Sequence, residues 1–194
     1  MKKLSTYLLL IFFSFSALSF ADDITDFQIE GMSIGDSLLD YFSEDEIRNN
    51  IGDVYSHFED KTFVMAAFGK EFFPFKTYDV LQIAFKDKDK DYKIYGIAGK
   101  LLFYENINDC YVKQNEILNE LSTLLKDTDK VSETLTHSVD STGRSKIKSI
   151  TWWLKSEDLI SLDCYDWHED MPYIDNLKVA ADTKEFNDWL VEWQ

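Results

Sequence analysis

Between residues 106 and 126 the chain reads NINDCYVKQNEILNELSTLLK, and its apolar positions recur at helical spacing. Ile107, Cys110, Tyr111, Gln114, Ile117, Leu121 and Leu124 form one stripe, while Lys113, Glu116, Asn119, Glu120 and Ser122 fall on other faces. That is the pattern of a helix lying across a sheet. On both sides of it the apolar residues alternate or run together, which predicts strands. Segments 61–68, 78–85 and 92–104 precede the helix; 131–139, 146–155, 159–167 and 177–181 follow it. Gly96 and Gly99 inside 92–104 predict a bulge or close packing under the helix.

The connections carry turn chemistry. KDKDKD at 86–91 makes a polar hairpin tip, Ser141-Thr142-Gly143 turns a second hairpin, and 69–76 is an aromatic loop. Toward the N-terminus, Asp36 or Ser37 caps a short helix carrying Leu38, Leu39 and Phe42, and Ser43 with Glu46 forms a capping box. At the other end, Asp182 or Thr183 caps a helix with Phe186, Trp189, Leu190 and Trp193 on one side. The expected fold is α+β: an antiparallel sheet in two hairpin-rich halves, a central helix on one face, and short N- and C-terminal helices. No linker interrupts residues 22–194, so they read as one domain.

The opening Gly31-Met32-Ser33-x-Gly35-Asp36-Ser37-Leu38-Leu39 resembles the first helix of small secreted bacterial domains of the BamE and beta-lactamase-inhibitor-like type. It also resembles openings among uncharacterised exported bacterial proteins. The resemblance implies short helices packed on an antiparallel sheet, and binding to other proteins rather than catalysis. Gly35-Asp36-Ser37 is similar to the nucleophile block of some secreted lipases and esterases. That family places its motif after a buried strand and needs a late Asp-x-x-His, neither of which stands here, so Ser37 reads as a helix cap.

Residues 1–21 have the three parts of a secretory signal peptide. Lys2 and Lys3 give the positive start, 8–15 the apolar run, and Ser19 and Ala21 the small residues before a cut at Asp22. The run is short for a membrane span and breaks into serines. With no cysteine there, a lipid anchor at the cut is not expected. The mature product is expected in the periplasm or secreted, with no membrane insertion after cleavage. Removing the two lysines takes the formal charge from −16 to −18. Such a field repels nucleic acid and anionic lipid and favours solubility or cationic partners. Fifteen Phe, ten Tyr and five Trp against two Pro exclude a disordered acidic chain. Cys110 and Cys164 are the two cysteines. In an exported protein they predict a disulfide closing a loop of about 55 residues, the alternative being two separate buried thiols.

The candidate chemistry is sparse. Asp87, Asp89 and Asp91 match the first acidic positions of an EF-hand loop, but Tyr92 stands where glycine is needed and Ala98 where the bidentate glutamate should be. Asp163, Asp166, His168, Glu169 and Asp170 are the densest group of possible metal ligands. Asp163 and Asp166, three apart in a strand, point to opposite faces. His57 and His137 are isolated. Trp152, Trp153, Tyr165 and Trp167, with Tyr173 nearby, are the candidate binding residues: of the adjacent Trp152 and Trp153 one faces the core and the other the opposite sheet face, and an exposed tryptophan on a sheet face suits a protein, peptide or sugar. No catalytic residue, metal site or cofactor is assigned. The expected function is non-catalytic protein or ligand binding, or inhibition, with an envelope or periplasmic protein as the partner and no nucleic acid. The alternative is a secreted hydrolase or an oxygen-ligand divalent-metal protein.

Overall fold

The computed structural model describes residues 23–55 and 57–192; the predicted signal peptide and Trp193 lie outside them. In chain order come β1 (Gln28–Ile29), β2 (Met32–Ser33), α1 (Glu44–Asn49), β3 (Phe63–Gly69), β4 (Val80–Lys86) and β5 (Gly96–Phe103). Then follow α2 (Ile107–Leu124), β6 (Asp129–Thr136), β7 (Lys146–Trp153), β8 (Leu159–Asp166), β9 (Asp175–Asp182) and α3 (Lys184–Glu192). β1 and β2 pair with each other, and the remaining strands form one antiparallel sheet in the order β3-β4-β5-β9-β8-β7-β6. The fold is α+β with a central helix on one sheet face, as the apolar pattern predicts.

The last strand is the main topological surprise. The pattern predicts a short strand at 177–181, whereas β9 is a full eight-residue strand in the middle of the sheet, between β5 and β8. The three-stranded meander β3-β4-β5 and the four-stranded meander β6-β7-β8-β9 therefore join through their final strands. Such long-range pairing leaves no local mark beyond an apolar run. The two outer edges differ: Gly52 N–H donates to Met65 O, and Ala67 N–H donates to Asn50 O, along β3. β6 is exposed over its whole length.

Alternation assigns the faces. One face collects Ala66, Phe68, Leu81, Ile83, Phe85 and Ile97 from the first half and Ile150, Trp152, Ile160, Leu162, Leu177 and Val179 from the second. The N-terminal segment covers the first group through Ile29, Leu38, Phe42 and Ile47, and α2 covers the second through Cys110, Ile117 and Leu121. Ser37 caps a 3-10 turn at Leu38–Asp40, and Ser43 closes the expected capping box with Glu46. Two buried side chains fasten α2. Cys110 is bonded to Cys164 of β8, and the Gln114 amide donates to Lys148 O (2.7 Å) and Leu162 O (3.0 Å).

The third strand is shorter than its sequence run. Tyr92 takes a positive φ of 46° and Lys93 bridges to Ser37, so β5 begins only at Gly96. Its two glycines mark close packing without a bulge, because the register with β4 and β9 is unbroken. A Cβ on Gly99 would stand 2.5 Å from the Tyr78 ring. A Cβ on Gly96 would stand 2.6 Å from the Phe186 ring, so Gly96 lies under α3 and not under the central helix.

On the opposite sheet face α3 covers one corner. Phe186 and Trp189 pack there with Phe58, Phe63 and Ala84, and the Thr183 hydroxyl accepts from Phe186 N–H as the expected cap (3.2 Å). No helix among the described residues is long and apolar enough to cross a membrane.

The disulfide links positions 54 apart in sequence, and replacing both cysteines by serine is expected to lower unfolding stability by about 4 kcal/mol, the loop-entropy value for that span. Urea unfolding of the oxidised chain and the double variant measures it; equal midpoints would mean that Gln114 and the apolar stripe hold α2 unaided.

Candidate functional site

The sheet face that α2 leaves bare is concave, and a cleft of about 860 Å³ runs over it. Its floor comes from the even-numbered residues of the central strands and the facing residues of β8. Gln82 lies on β4, Ala98, Lys100 and Leu102 on β5, Asn176, Lys178, Ala180 and Asp182 on β9, and Tyr165 on β8. One wall is formed by Asp53, Val54, Tyr55 and His57 and by Phe186 and Leu190 of α3; the other is formed by His137, Val139, Trp167 and Tyr173. The volume falls in the range of small-molecule sites, and the lining has their mixture of aromatic walls and a few convergent polar groups.

The aromatic wall is built from two loops. The β6–β7 connection is braced by Asp140, whose carboxylate accepts from Thr142 Oγ1 (2.5 Å), Ser145 Oγ (2.8 Å), Ser145 N–H (2.7 Å) and Thr142 N–H (2.8 Å). Those donors hold its carboxyl far below the ordinary range. The connection between β8 and β9 is tied down by Trp167 N–H donating to Asp175 Oδ1 (2.8 Å) and His168 N–H donating to Ser145 Oγ (3.1 Å). So fixed, the rings meet: His137 lies 4.3 Å from Trp167 and Trp167 4.4 Å from Tyr173, centroid to centroid. Burial, then the positive charges of Lys178 and Lys100, pull the His137 pKa down and favour its neutral ring.

The floor carries ionised groups in an enclosed setting. Asp163, 4% exposed, accepts from Ser149 Oγ (2.6 Å) and Ser161 Oγ (2.9 Å), and its Oδ2 lies 3.3 Å from Lys178 Nζ. Burial alone would lower the Lys178 pKa; Tyr165, Asp163 and Asp182 around it reverse this and raise it. Asp182 is pushed up to about 6, chiefly by burial and partly by Asp163, with Lys178 opposing. Lys100 faces Lys178 directly across β5 and β9. Burial and then the Lys178 charge bring its pKa down to about 8. Its amine has no hydrogen-bonding or ionic partner among the described residues.

The four candidate binding residues do not gather in one place. Tyr165 and Trp167 line the cleft. Trp152 is 1% exposed and packs in the core on the α2 face, so it is a structural residue and not part of a binding surface. Alternation sends Trp153 to the cleft's side of the sheet, 40% exposed, but it pairs with Leu159 at the far end of β7. That is six residues along from the partner of Tyr165, roughly 20 Å at strand rise.

The other candidates also separate. Ser37 Oγ donates to Asp91 O (2.6 Å) and accepts from Leu39 N–H (3.2 Å), so its hydroxyl is taken up as a cap. Asp163 and Asp166 do face opposite ways, Asp166 accepting from the Tyr111 hydroxyl on the α2 side (3.3 Å). Of the remaining three, His168 and Asp170 are engaged by Arg144, with Nη1 2.8 Å from His168 Nε2 and Nη2 donating to Asp170 Oδ2 (2.7 Å), and Glu169 is exposed. Among the described residues no group of three His, Cys, Asp or Glu side chains is placed to hold a metal ion.

Sequence reasoning passed over Lys100, Lys178 and Asn176, and read Asp182 only as an alternative helix cap. Their signal was a charged or amide side chain inside an otherwise apolar strand, as in GIAGKLLF and DNLKVAAD. A strand buried on both faces rarely carries such a residue without a partner or a role.

Lys100 also yields a stability test. Its folded pKa lies below its unfolded value, so its charged form opposes folding; that penalty is fully present below about pH 8 and is lost as pH rises toward 10. Lys100→Met is therefore expected to raise unfolding stability at pH 7 by on the order of 1–3 kcal/mol, the gain shrinking toward pH 10. Denaturant unfolding at the two pH values checks it, and a Lys100→Met protein less stable at pH 7 would contradict it.

Comparison with protein-family models, with curated proteins and with solved structures finds no match in any of the three. The chemistry of the cleft is accordingly read from its own residues.

Proposed function

We propose that the protein is an exported, non-catalytic binding protein that takes a small organic ligand into the concave sheet face. The observation that carries this reading is the cleft itself: about 860 Å³, with the His137, Trp167 and Tyr173 rings on one side and an enclosed polar floor beneath. Aromatic walls offer apolar area with little side-chain entropy to lose, and fixed polar groups below orient what enters. The wall is held by hydrogen bonds made before any ligand arrives, which lowers the ordering penalty of binding. Beside the floor, the buried Ser149 and Ser161 hydroxyls are committed to the fold: both donate to the Asp163 carboxylate, which also pairs with Lys178. That commitment favours binding over nucleophilic chemistry. Export is supported by the leader-like residues 1–21 and by the Cys110–Cys164 disulfide, a bond at home in oxidising compartments.

The test is a titration of the purified chain with a panel of small aromatic and aliphatic compounds, read by calorimetry and tryptophan fluorescence. A ligand of this cleft should lose roughly tenfold or more in affinity in Trp167→Ala, whereas Trp153→Ala, on the same sheet face but far along β7, should bind as the wild type does. A panel without a single binder, or a binder sensitive to Trp153 and indifferent to Trp167, would sink the reading. Expression in a bacterial host with the leader intact should give a periplasmic product whose mass corresponds to a chain starting at Asp22; retention in the cytoplasm at full length would remove the export half of the proposal.

A further inference from the structure

Two atoms on the cleft floor indicate what kind of ligand it takes. Lys100 and Lys178 sit side by side on β5 and β9, and only Lys178 has a counter-ion, Asp163 Oδ2 at 3.3 Å. The Lys100 amine is left facing the cleft with no partner among the described residues and a like charge beside it. Two residues before Lys178, Asn176 is 5% exposed and also lines the cleft. Its Nδ2 donates to Ile174 O (2.9 Å), while its Oδ1 is buried with no hydrogen-bond partner. An unpaired cation and an unpaired acceptor on one floor are each unfavourable alone, and a single ligand with the opposite groups satisfies both.

We propose that the cleft binds a small aryl carboxylate carrying a hydroxyl or N–H group at its far end, with the carboxylate on the Lys100 amine and the donor on Asn176 Oδ1. This rests on the cleft being a ligand site at all. Three features shape the ligand. Its charge is set by the floor: Asp163 already neutralises Lys178, and Asp53 and Asp182 also line the cleft, so a second negative charge would meet repulsion. Its size is bounded by the register: Lys100 lies opposite Lys178 and Leu102 opposite Asn176, which makes Lys100 and Asn176 diagonal neighbours whose backbone positions stand about 7–8 Å apart. Two groups rooted that close are bridged by a compact ligand of one ring and not by an extended chain. Its body is set by the wall: Tyr165 is the direct cross-strand neighbour of Asn176, and Trp167 and Tyr173 stand beyond it. The carboxylate would also offset the repulsion between Lys100 and Lys178, an interaction a neutral ligand lacks.

Calorimetric titration of the folded chain with 4-hydroxyphenylacetate, 4-hydroxyphenylacetamide and phenylacetate tests the assignment. The hydroxy acid should bind roughly tenfold or more tighter than its amide, and roughly threefold to tenfold tighter than phenylacetate, which lacks the donor. Lys100→Met should erase the first ratio and Asn176→Leu the second, each leaving the other in place. Equal affinities for acid and amide in the wild type, or a preference that survives Lys100→Met, overturn the proposal; the cleft reading then stands, provided Trp167→Ala still weakens the binding seen by roughly tenfold or more. No binding of any of the three also overturns it, and the cleft reading falls with it only where the broader panel is empty too. The wild-type ratios need no variant, so a misfolded substitution cannot shield the proposal.

Discussion

One fastening decides what both faces of the sheet must be. Cys110 and Gln114 clamp α2 to β7 and β8, and the face beneath it fills with Ile150, Leu162, Leu177 and Val179 at close packing. The N-terminal segment extends that cover over β3 to β5. A seven-stranded sheet has two faces, and α3 reaches only one corner of the second. The same strands that bury an apolar row under α2 must therefore show water a second row, and there the polar residues of β5, β8 and β9 stand. Twist curves such a sheet, and the loops at its ends rise above the curvature as walls. The cleft follows from covering one face and not the other.

The two lysines on that floor are in opposite energetic positions although they are neighbours. Lys178 has a carboxylate whose remaining lone pairs are filled by two serine hydroxyls, so its desolvation is compensated in the folded chain. Lys100 has lost much of its water and gained only a like charge, which is why its pKa falls while that of Lys178 rises. A fold selected for stability alone would place methionine or leucine at 100, in keeping with Ala98 and Leu102 on either side of it on the same face. Departures from local consistency concentrate where a protein does its work. Lys100 and the orphan oxygen of Asn176 are two such departures within one cross-strand diagonal.

The sequence carried the covered face well and the open face poorly, for a physical reason. Burial against α2 imposes periodicity on the helix and alternation on the strands, so α2, the capping box at Ser43, the cap at Thr183, most strands and the Cys110–Cys164 bond could all be read from the chain. The position of β9 could not, because pairing with β5 across some 75 residues is set by the whole sheet and by no local residue. Period two sends one of the adjacent Trp152 and Trp153 into the core, as alternation predicts, but which of the two is set by register, and it is Trp152. Six residues of strand then carried Trp153 away from Tyr165. Register matters at Tyr95 too: strict alternation along the run 92–104 would put it on the face of Ile97, but the turn at Tyr92 delays the start of β5 and Tyr95 packs with Phe63 and α3. The lysines were visible as letters, but their meaning depended on knowing that β5 and β9 are neighbours.

The acidity of the whole chain and Lys100, which has no counter-ion among the described residues, act over different distances. A formal charge of −16 spread over the surface repels an approaching anion, yet at physiological salt that field is screened beyond about 8 Å. Two opposite unit charges about 4 Å apart attract by about 4 kcal/mol at the effective dielectric near a protein surface, before the cost of desolvating them, against about 1 kcal/mol in bulk water. The surface therefore governs how often an anion arrives, while the floor governs which one stays. An acidic exterior also keeps nucleic acid and anionic lipid, the commonest polyanions, away from a cationic floor they would otherwise foul. Only an anion small enough to pass the walls, and short of charge enough to tolerate Asp53 and Asp182, gains from Lys100. On this view the net charge of the protein selects for its ligand by excluding larger competitors, and the excess of acid and the buried lysine belong to one design.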